Sequence, residues 1–241
     1  MNKKLSKIVL SLLMLCFSLT LKSQYYTEGN WYTFSKNYIS RVNIYPDSIV
    51  THALNFDLTE RPNPRPSEAL LIVSTTLANG NVYLCLKTKT DTANQRMLSI
   101  LKPFDSKEKF MLAVNTLDDR FTDLKLMNDY IKNDKEAKYG FTYYSEETIA
   151  EMRKLPSVDS MSKESFVKIC NDYLAMKEKV DKIGLEPNAP KGLRSYLATS
   201  IRNIIYLNGF NPLVGNDTFD QFFKRFFEDP SLKEIIQKVK G

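Results

Sequence analysis

His52 is the single histidine of the chain, and this scarcity limits the chemistry that the protein can perform. A nucleophile–histidine–acid triad could be built only around His52, and zinc sites made of several histidines are excluded. A glycine-rich phosphate loop and the metalloprotease helix motif are also missing from the sequence. We therefore name no catalytic residue, no metal ligand and no cofactor, and we interpret His52 as a side chain of a core or pocket wall.

The carboxylates form no recognised local motif. Asp118 and Asp119 suit the positively polarised start of a helix, and 129–134 lacks the spacing and the glycine of a calcium loop. A pair of catalytic carboxylates can be assembled across a fold without a local trace in the sequence. A hydrolase that uses His52 or scattered carboxylates therefore stays as an alternative.

The N-terminus has the pattern of an export signal. Lys3, Lys4 and Lys7 precede the apolar run 8–21, which is too short to span a bilayer comfortably and has the length of a signal-peptide core. We expect cleavage between Ser23 and Gln24, so that 1–23 is removed and no transmembrane span is left. The mature protein is then periplasmic, attached to the outer envelope or extracellular. An uncleaved N-terminal anchor is the alternative.

The predicted mature chain is nearly neutral. Its leader holds four lysines and no acidic residue, which leaves 30 basic against 28 acidic side chains. This balance lacks the basic footprint of a nucleic-acid-binding protein. Cys85 and Cys170 remain after cleavage; export would permit a disulfide, but their apolar surroundings favour two buried free thiols.

The sequence from 24 to 117 has the period of β-strands. Apolar residues alternate between turn segments, of which 45–48, 78–81 and 104–109 look like hairpin turns. Short hairpins make neighbouring strands antiparallel. We predict a meander of about seven strands, forming an open sheet or a partial barrel, near 31–35, 38–45, 49–58, 69–76, 81–88, 96–103 and 109–115.

From 118 to 241 the apolar period changes to three or four, which predicts a helical part packed on or beside the sheet. A first helix is expected after Thr116. Two further helices are expected to begin at Ser145 and at Ser162, and another is expected to span 193–207. Five phenylalanines at helical spacing in 219–227 predict a buried helix face. The fold class is therefore α+β.

Gly29-Asn30-Trp31 at the entry to the first strand resembles the glycine–x–tryptophan motif of lipocalins. Tyr32 follows the tryptophan, as it often does in that family. The resemblance implies a β-barrel that is closed at one end by the tryptophan and that binds small hydrophobic molecules. It also implies a late arginine against the tryptophan, for which Arg120 is the candidate. The long helical half is not a lipocalin feature.

These observations favour a non-enzymatic binding protein of the cell envelope that holds a small hydrophobic ligand. The expected ligand-binding side chains line the inner face of the sheet: Trp31, Val42, Ile44, His52, Leu54, Phe56, Leu84, Phe110 and Leu112. The first alternative is a scaffold protein without a cavity, which docks an envelope protein partner through its helical half.

Overall fold

The computed structural model of the chain describes 28–35, 37–61, 69–78, 81–89, 97–103, 109–115, 141–185 and 193–240. Eight antiparallel strands follow one another around a closed barrel. Their bounds are β1 (Gly29–Phe34), β2 (Ile39–Ile44), β3 (Ser48–Leu54), β4 (Leu70–Ala78), β5 (Asn81–Thr88), β6 (Met97–Pro103), β7 (Lys109–Asn115) and β8 (Phe141–Tyr144).

The antiparallel meander followed by helices is confirmed, and the structure adds an eighth strand. β8 pairs with β7 on one side and with β1 on the other, where Tyr144 lies opposite Tyr32. It falls in the part of the chain that we assigned to the helical half after 117, so the sheet extends to Tyr144. A strand of four residues has too little alternation to be recognised from the sequence.

The strands of the barrel are unevenly paired. β1 and β2 pair from end to end, as do β2 and β3, and the Tyr45 amide donates to the Ser48 carbonyl at 2.8 Å in the predicted turn between them. In contrast, β3 and β4 pair only through Ser48 with Leu71 and Ile49 with Leu70 within the described ranges.

The registers determine how wide the barrel is. The strand pairings can be followed from Tyr32 through each neighbouring strand until the path returns to β1. The path returns about 12 residues further along β1, and this offset is the stagger of the barrel. A stagger of about 12 tilts the strands by about 45° from the barrel axis. Eight strands with this stagger form a ring of about 9 Å radius, compared with about 7 Å at the stagger of 8 found in filled (β/α)₈ barrels. The larger stagger therefore gives a wider interior.

In the described residues after β8 there are five α-helices and two short 3₁₀ helices. Ser145 begins the first helix as predicted, because its hydroxyl accepts a hydrogen bond from the Thr148 amide at 3.2 Å. The helices are α1 (Glu146–Met152), α2 (Lys163–Gly184), α3 (Leu193–Leu207), α4 (Asn216–Phe227) and α5 (Lys233–Lys240), with 3₁₀ turns at Val158–Ser160 and Pro230–Leu232. The helix predicted after Thr116 lies outside the described residues.

The helices form a core of their own. The Phe166 and Phe226 rings stack with centroids 4.1 Å apart, inside a cluster that joins α2, α3, α4 and α5. The predicted aromatic face of α4 is therefore confirmed at Phe226. It is wrong at Phe227, which is 36% exposed at the end of the helix. The side chains of the other three phenylalanines lie outside the described residues.

A second cluster joins the helices to the outer face of the barrel. Tyr32 and Phe34 point outward from β1 and pack with Ile149 and Met152 of α1. From β8, the Tyr144 hydroxyl donates to Asn203 Oδ1 of α3 at 3.0 Å. The strand that closes the barrel is thus held from outside by α1 and α3.

Arg202 stabilises the same interface between the barrel and the helices. Its guanidinium lies 3.6 Å from the centroid of the Phe56 ring and donates to the carbonyls of Pro212 at 2.6 Å and Val214 at 2.9 Å. Burial lowers the pKa of Arg202 to about 10, which leaves the guanidinium charged near neutral pH.

Cys85 and Cys170 are both buried and form no disulfide, as expected. Cys85 lies in β5 and Cys170 belongs to the helical core, so they occupy separate clusters. Over the described ranges, we find no helix with both the length and the apolarity to cross a bilayer.

Candidate functional site

The interior of the barrel holds an apolar cluster, which we call the interior cluster. Its side chains come from alternate positions of the strands, because successive residues of a strand point to opposite faces. The buried members are Trp31, Val42, Ile44, Ile49, Val82, Leu84, Leu86 and Tyr143, with Leu70, Ile72 and Phe141 partly buried against them.

The backbone conformation at Gly29 and the position of the Trp31 indole both depend on the residue type found there. Gly29 has a φ of +131°, a conformation that side chains disfavour, and it begins β1 opposite Ile44. Two residues later Trp31 points to the same face of the strand and is 7% exposed. The glycine thus sets the entry of the strand from which the indole reaches the interior cluster.

The described interior cluster carries no side chain that is charged near neutral pH. Its one ionisable group is the Tyr143 phenol, whose pKa is raised by burial, so that the phenol stays neutral. Apolar walls with few polar groups are typical of sites for small apolar ligands. The described side chains of the interior cluster therefore form an apolar surface without charge near neutral pH.

The structure brings together four of the predicted ligand-binding residues. Trp31, Val42, Ile44 and Leu84 all belong to the interior cluster. The side chains of Phe110 and Leu112 lie outside the described residues, although the register places these positions opposite Tyr143 and Phe141.

The structure does not bring His52, Leu54 and Phe56 into the barrel. On β3 the inward residues are Ile49, Thr51 and Ala53, so the alternate residues Val50, His52 and Leu54 point outward. Leu54 and Phe56 instead pack under the helices. The sequence interpretation grouped these residues on one face but assigned that face to the inside, because both faces of β3 carry apolar residues.

The surroundings of His52 show no catalytic dyad. His52 lies opposite Arg41, which lies opposite Tyr32, so the three side chains form a row on the outer face. Burial raises the pKa of Tyr32, and Glu146 raises it further, while Arg41 lowers it. In the described part of the chain no carboxylate is hydrogen-bonded to His52, and no cluster of His, Cys, Asp or Glu could hold a metal ion.

Four buried members of the interior cluster were missed by the sequence interpretation. Val82 and Leu86 share the alternation of Leu84, so the period of β5 carried a signal for both. Ile49 was missed when the faces of β3 were exchanged. Tyr143 was missed because β8 itself was not predicted.

Comparisons with known proteins identify no family for this chain. No protein-family model and no curated protein matches the chain. Among solved structures, the crystal structure of pallilysin from Treponema pallidum is similar, with a TM-score of 0.33 and 11% identity over 51% of this chain and 80% of that one. Likeness at this level transfers neither a fold nor a function.

Proposed function

We propose that this chain is an exported cell-envelope protein that binds a small hydrophobic ligand inside its barrel. The observation that carries the proposal is the interior cluster, in which Trp31 and Tyr143 meet aliphatic side chains from four further strands. A ligand without charge gains from leaving water for such an interior. The localisation follows from the leader, and the binding site from the barrel.

The width of the barrel supports this proposal. Barrels of eight strands either fill their interior with side chains or keep room for one small ligand. A ring of about 9 Å radius falls in the wider group. Gly29 occupies an inward position of β1 and places no side chain beside the Trp31 indole.

A likeness to lipocalins is part of the same proposal. An up-and-down ring of eight strands, with glycine–x–tryptophan at its first strand, is the arrangement that the motif implies. The helical half is a departure from that family, and Arg120 lies outside the described residues. We therefore propose a barrel that binds as lipocalins do, with a helical unit added against β1 and β8.

A titration with N-phenyl-1-naphthylamine, an uncharged fluorescent probe, tests the binding site. Trp31 is the single tryptophan, so its emission is expected to change in proportion to probe bound, with saturation at one probe per chain. Ile72→Phe places a larger ring against the interior cluster and is expected to weaken binding, whereas the neighbouring exposed Val73→Phe is the matched control. An unchanged Trp31 emission at saturating probe contradicts the site.

Export is tested separately by the intact mass of the protein secreted from a bacterial host. We expect a chain that begins at Gln24. A chain that still carries Met1–Ser23 contradicts cleavage at this position and favours the N-terminal anchor.

A second candidate function is docking of an envelope protein through the helical half. The observation that favours it is the exposure of large aliphatic side chains at helix ends, with Leu185 86% and Leu207 72% exposed. If docking is the function, Leu207→Asp removes a crosslinked partner in intact cells and leaves probe binding unchanged. If crosslinking is unchanged, Leu207 has no part in docking.

A further inference from the structure

One end of the barrel interior is lined by hydroxyl groups. At this end, each of four strands continues from an interior-cluster residue to a Ser or Thr two positions further on, which points to the same face. The pairs are Trp31 and Thr33, Val42 and Ser40, Ile49 and Thr51, and Leu86 and Thr88. We call Thr33, Ser40, Thr51 and Thr88 the hydroxyl end.

The four residues of the hydroxyl end differ in exposure. Thr51 is exposed, although Val42, directly opposite it in the ladder, is buried. Thr33 and Ser40 are buried. The hydroxyl end therefore reaches from the buried interior to the surface at Thr51.

Thr33 has an unused hydrogen-bonding group at this end. The residue is 8% exposed, and within the described part of the chain its hydroxyl makes no hydrogen bond. Directly opposite, Ser40 Oγ lies 3.3 Å from Ser35 Oγ. The hydroxyl is not fully enclosed, so it can donate to, or accept from, the polar end of a bound molecule.

We infer that the ligand is an uncharged amphiphile, such as an alcohol, ester or amide with an apolar chain. This inference rests on the proposed function and names the class of ligand. The chain lies in the interior cluster beside Trp31, and the polar head bonds to the hydroxyl end. Hydroxyls both donate and accept, so they satisfy a neutral head, whereas a charged head loses its hydration without a counter-charge among the described inward side chains.

The test compares three molecules that share one apolar chain: 1-decanol, decanoate and decyltrimethylammonium. Each competes with N-phenyl-1-naphthylamine on the exported chain, and Trp31 emission reports binding. We expect decanol to bind at least about tenfold more tightly than either ion, since one neutral hydrogen bond and an avoided charge burial both act in its favour. Tighter binding of decanoate or of the cation overturns the inference while the apolar site stands, and so does equal binding of all three.

Variants locate the polar head. Thr33→Val and Thr51→Val keep the side-chain shape and remove a hydroxyl, and each is expected to weaken decanol binding several-fold, measured against the probe's own affinity for the same variant. Ser74→Ala is the matched control, because Ser74 is exposed and lies opposite Cys85 on the other face of the sheet. Decanol affinity equal to that of the parent chain in both valine variants overturns the hydroxyl end as the head site. If neither probe nor decanol binds, the proposed function fails and the inference fails with it.

Discussion

Phe226→Ala is expected to remove one of the main supports of the helical core. The Phe226 ring stacks on Phe166 with an angle of 12° between the planes, and the residue is 7% exposed. Truncating a ring buried to this extent costs about 3–5 kcal/mol of unfolding free energy. Loss of the stacked pair and of the Arg225 guanidinium, 4.3 Å from the ring centroid, places the value in the upper half of that range.

Phe227→Ala provides a matched control one residue away. Phe227 is 36% exposed, so its truncation is expected to cost less than about 1 kcal/mol. Urea unfolding followed by circular dichroism gives both values, and an unchanged dependence on urea shows that both variants unfold the same structure. Equal losses in the two variants would refute the assignment of Phe226 to the core and of Phe227 to the surface.

Three further predictions concern single groups. Gly29→Ala is expected to cost about 1–3 kcal/mol, because its φ of +131° strains an alanine, whereas Gly215→Ala at an ordinary φ of −60° costs less; thermal unfolding compares the two. Tyr144→Phe removes the bond to Asn203 and keeps the ring contacts, so urea unfolding is expected to show a loss of about 1 kcal/mol, and no loss contradicts it. The hydrogen bonds from Ser231 and Lys163 lower the pKa of Asp229 to about 2, so its contribution to stability is present above pH of about 4 and is lost as the pH falls through about 2. Asp229→Asn is therefore expected to flatten the acid limb of stability, and an unchanged limb excludes Asp229 as its cause.

Local sequence rules predicted the elements where each rule acts on neighbouring residues. The seven strands up to Asn115, the turn at Tyr45–Ser48 and the helix start at Ser145 are all present. In each case the deciding interaction lies within a few residues of the chain. The period of the apolar side chains was therefore sufficient to predict them.

The face of a strand depends on the rest of the fold and was harder to predict. β3 carries apolar side chains on both faces, since Ile49 enters the barrel and Leu54 packs under the helices. The sequence shows the alternation but does not show which face meets the helices. His52 was assigned to the inside for this reason, although it points outward with Arg41.

Barrel closure could not be predicted from the sequence, for a related reason. Tyr32 pairs with Tyr144, which lies more than 100 residues later in the chain. No local sequence pattern indicates a pairing between residues so far apart. Of the predicted site residues, those on β1, β2 and β5 lie in the interior cluster, whereas those on β3 point outward. The predicted site was incomplete at β8, whose place in the sheet is set by tertiary contacts.

The closing contact also determines the order of assembly. β1 is made first, yet its second edge stays unpaired until β8 is in place, and its outer face stays bare until α1 and α3 arrive. The hairpins of β1–β3 can form early, because their ends are near in sequence, whereas ring closure must wait for nearly the whole chain. We expect the amides at this junction to exchange with deuterium before those between β1 and β2, and chains that stop before β8 to expose an unpaired edge of β1 that is prone to aggregation.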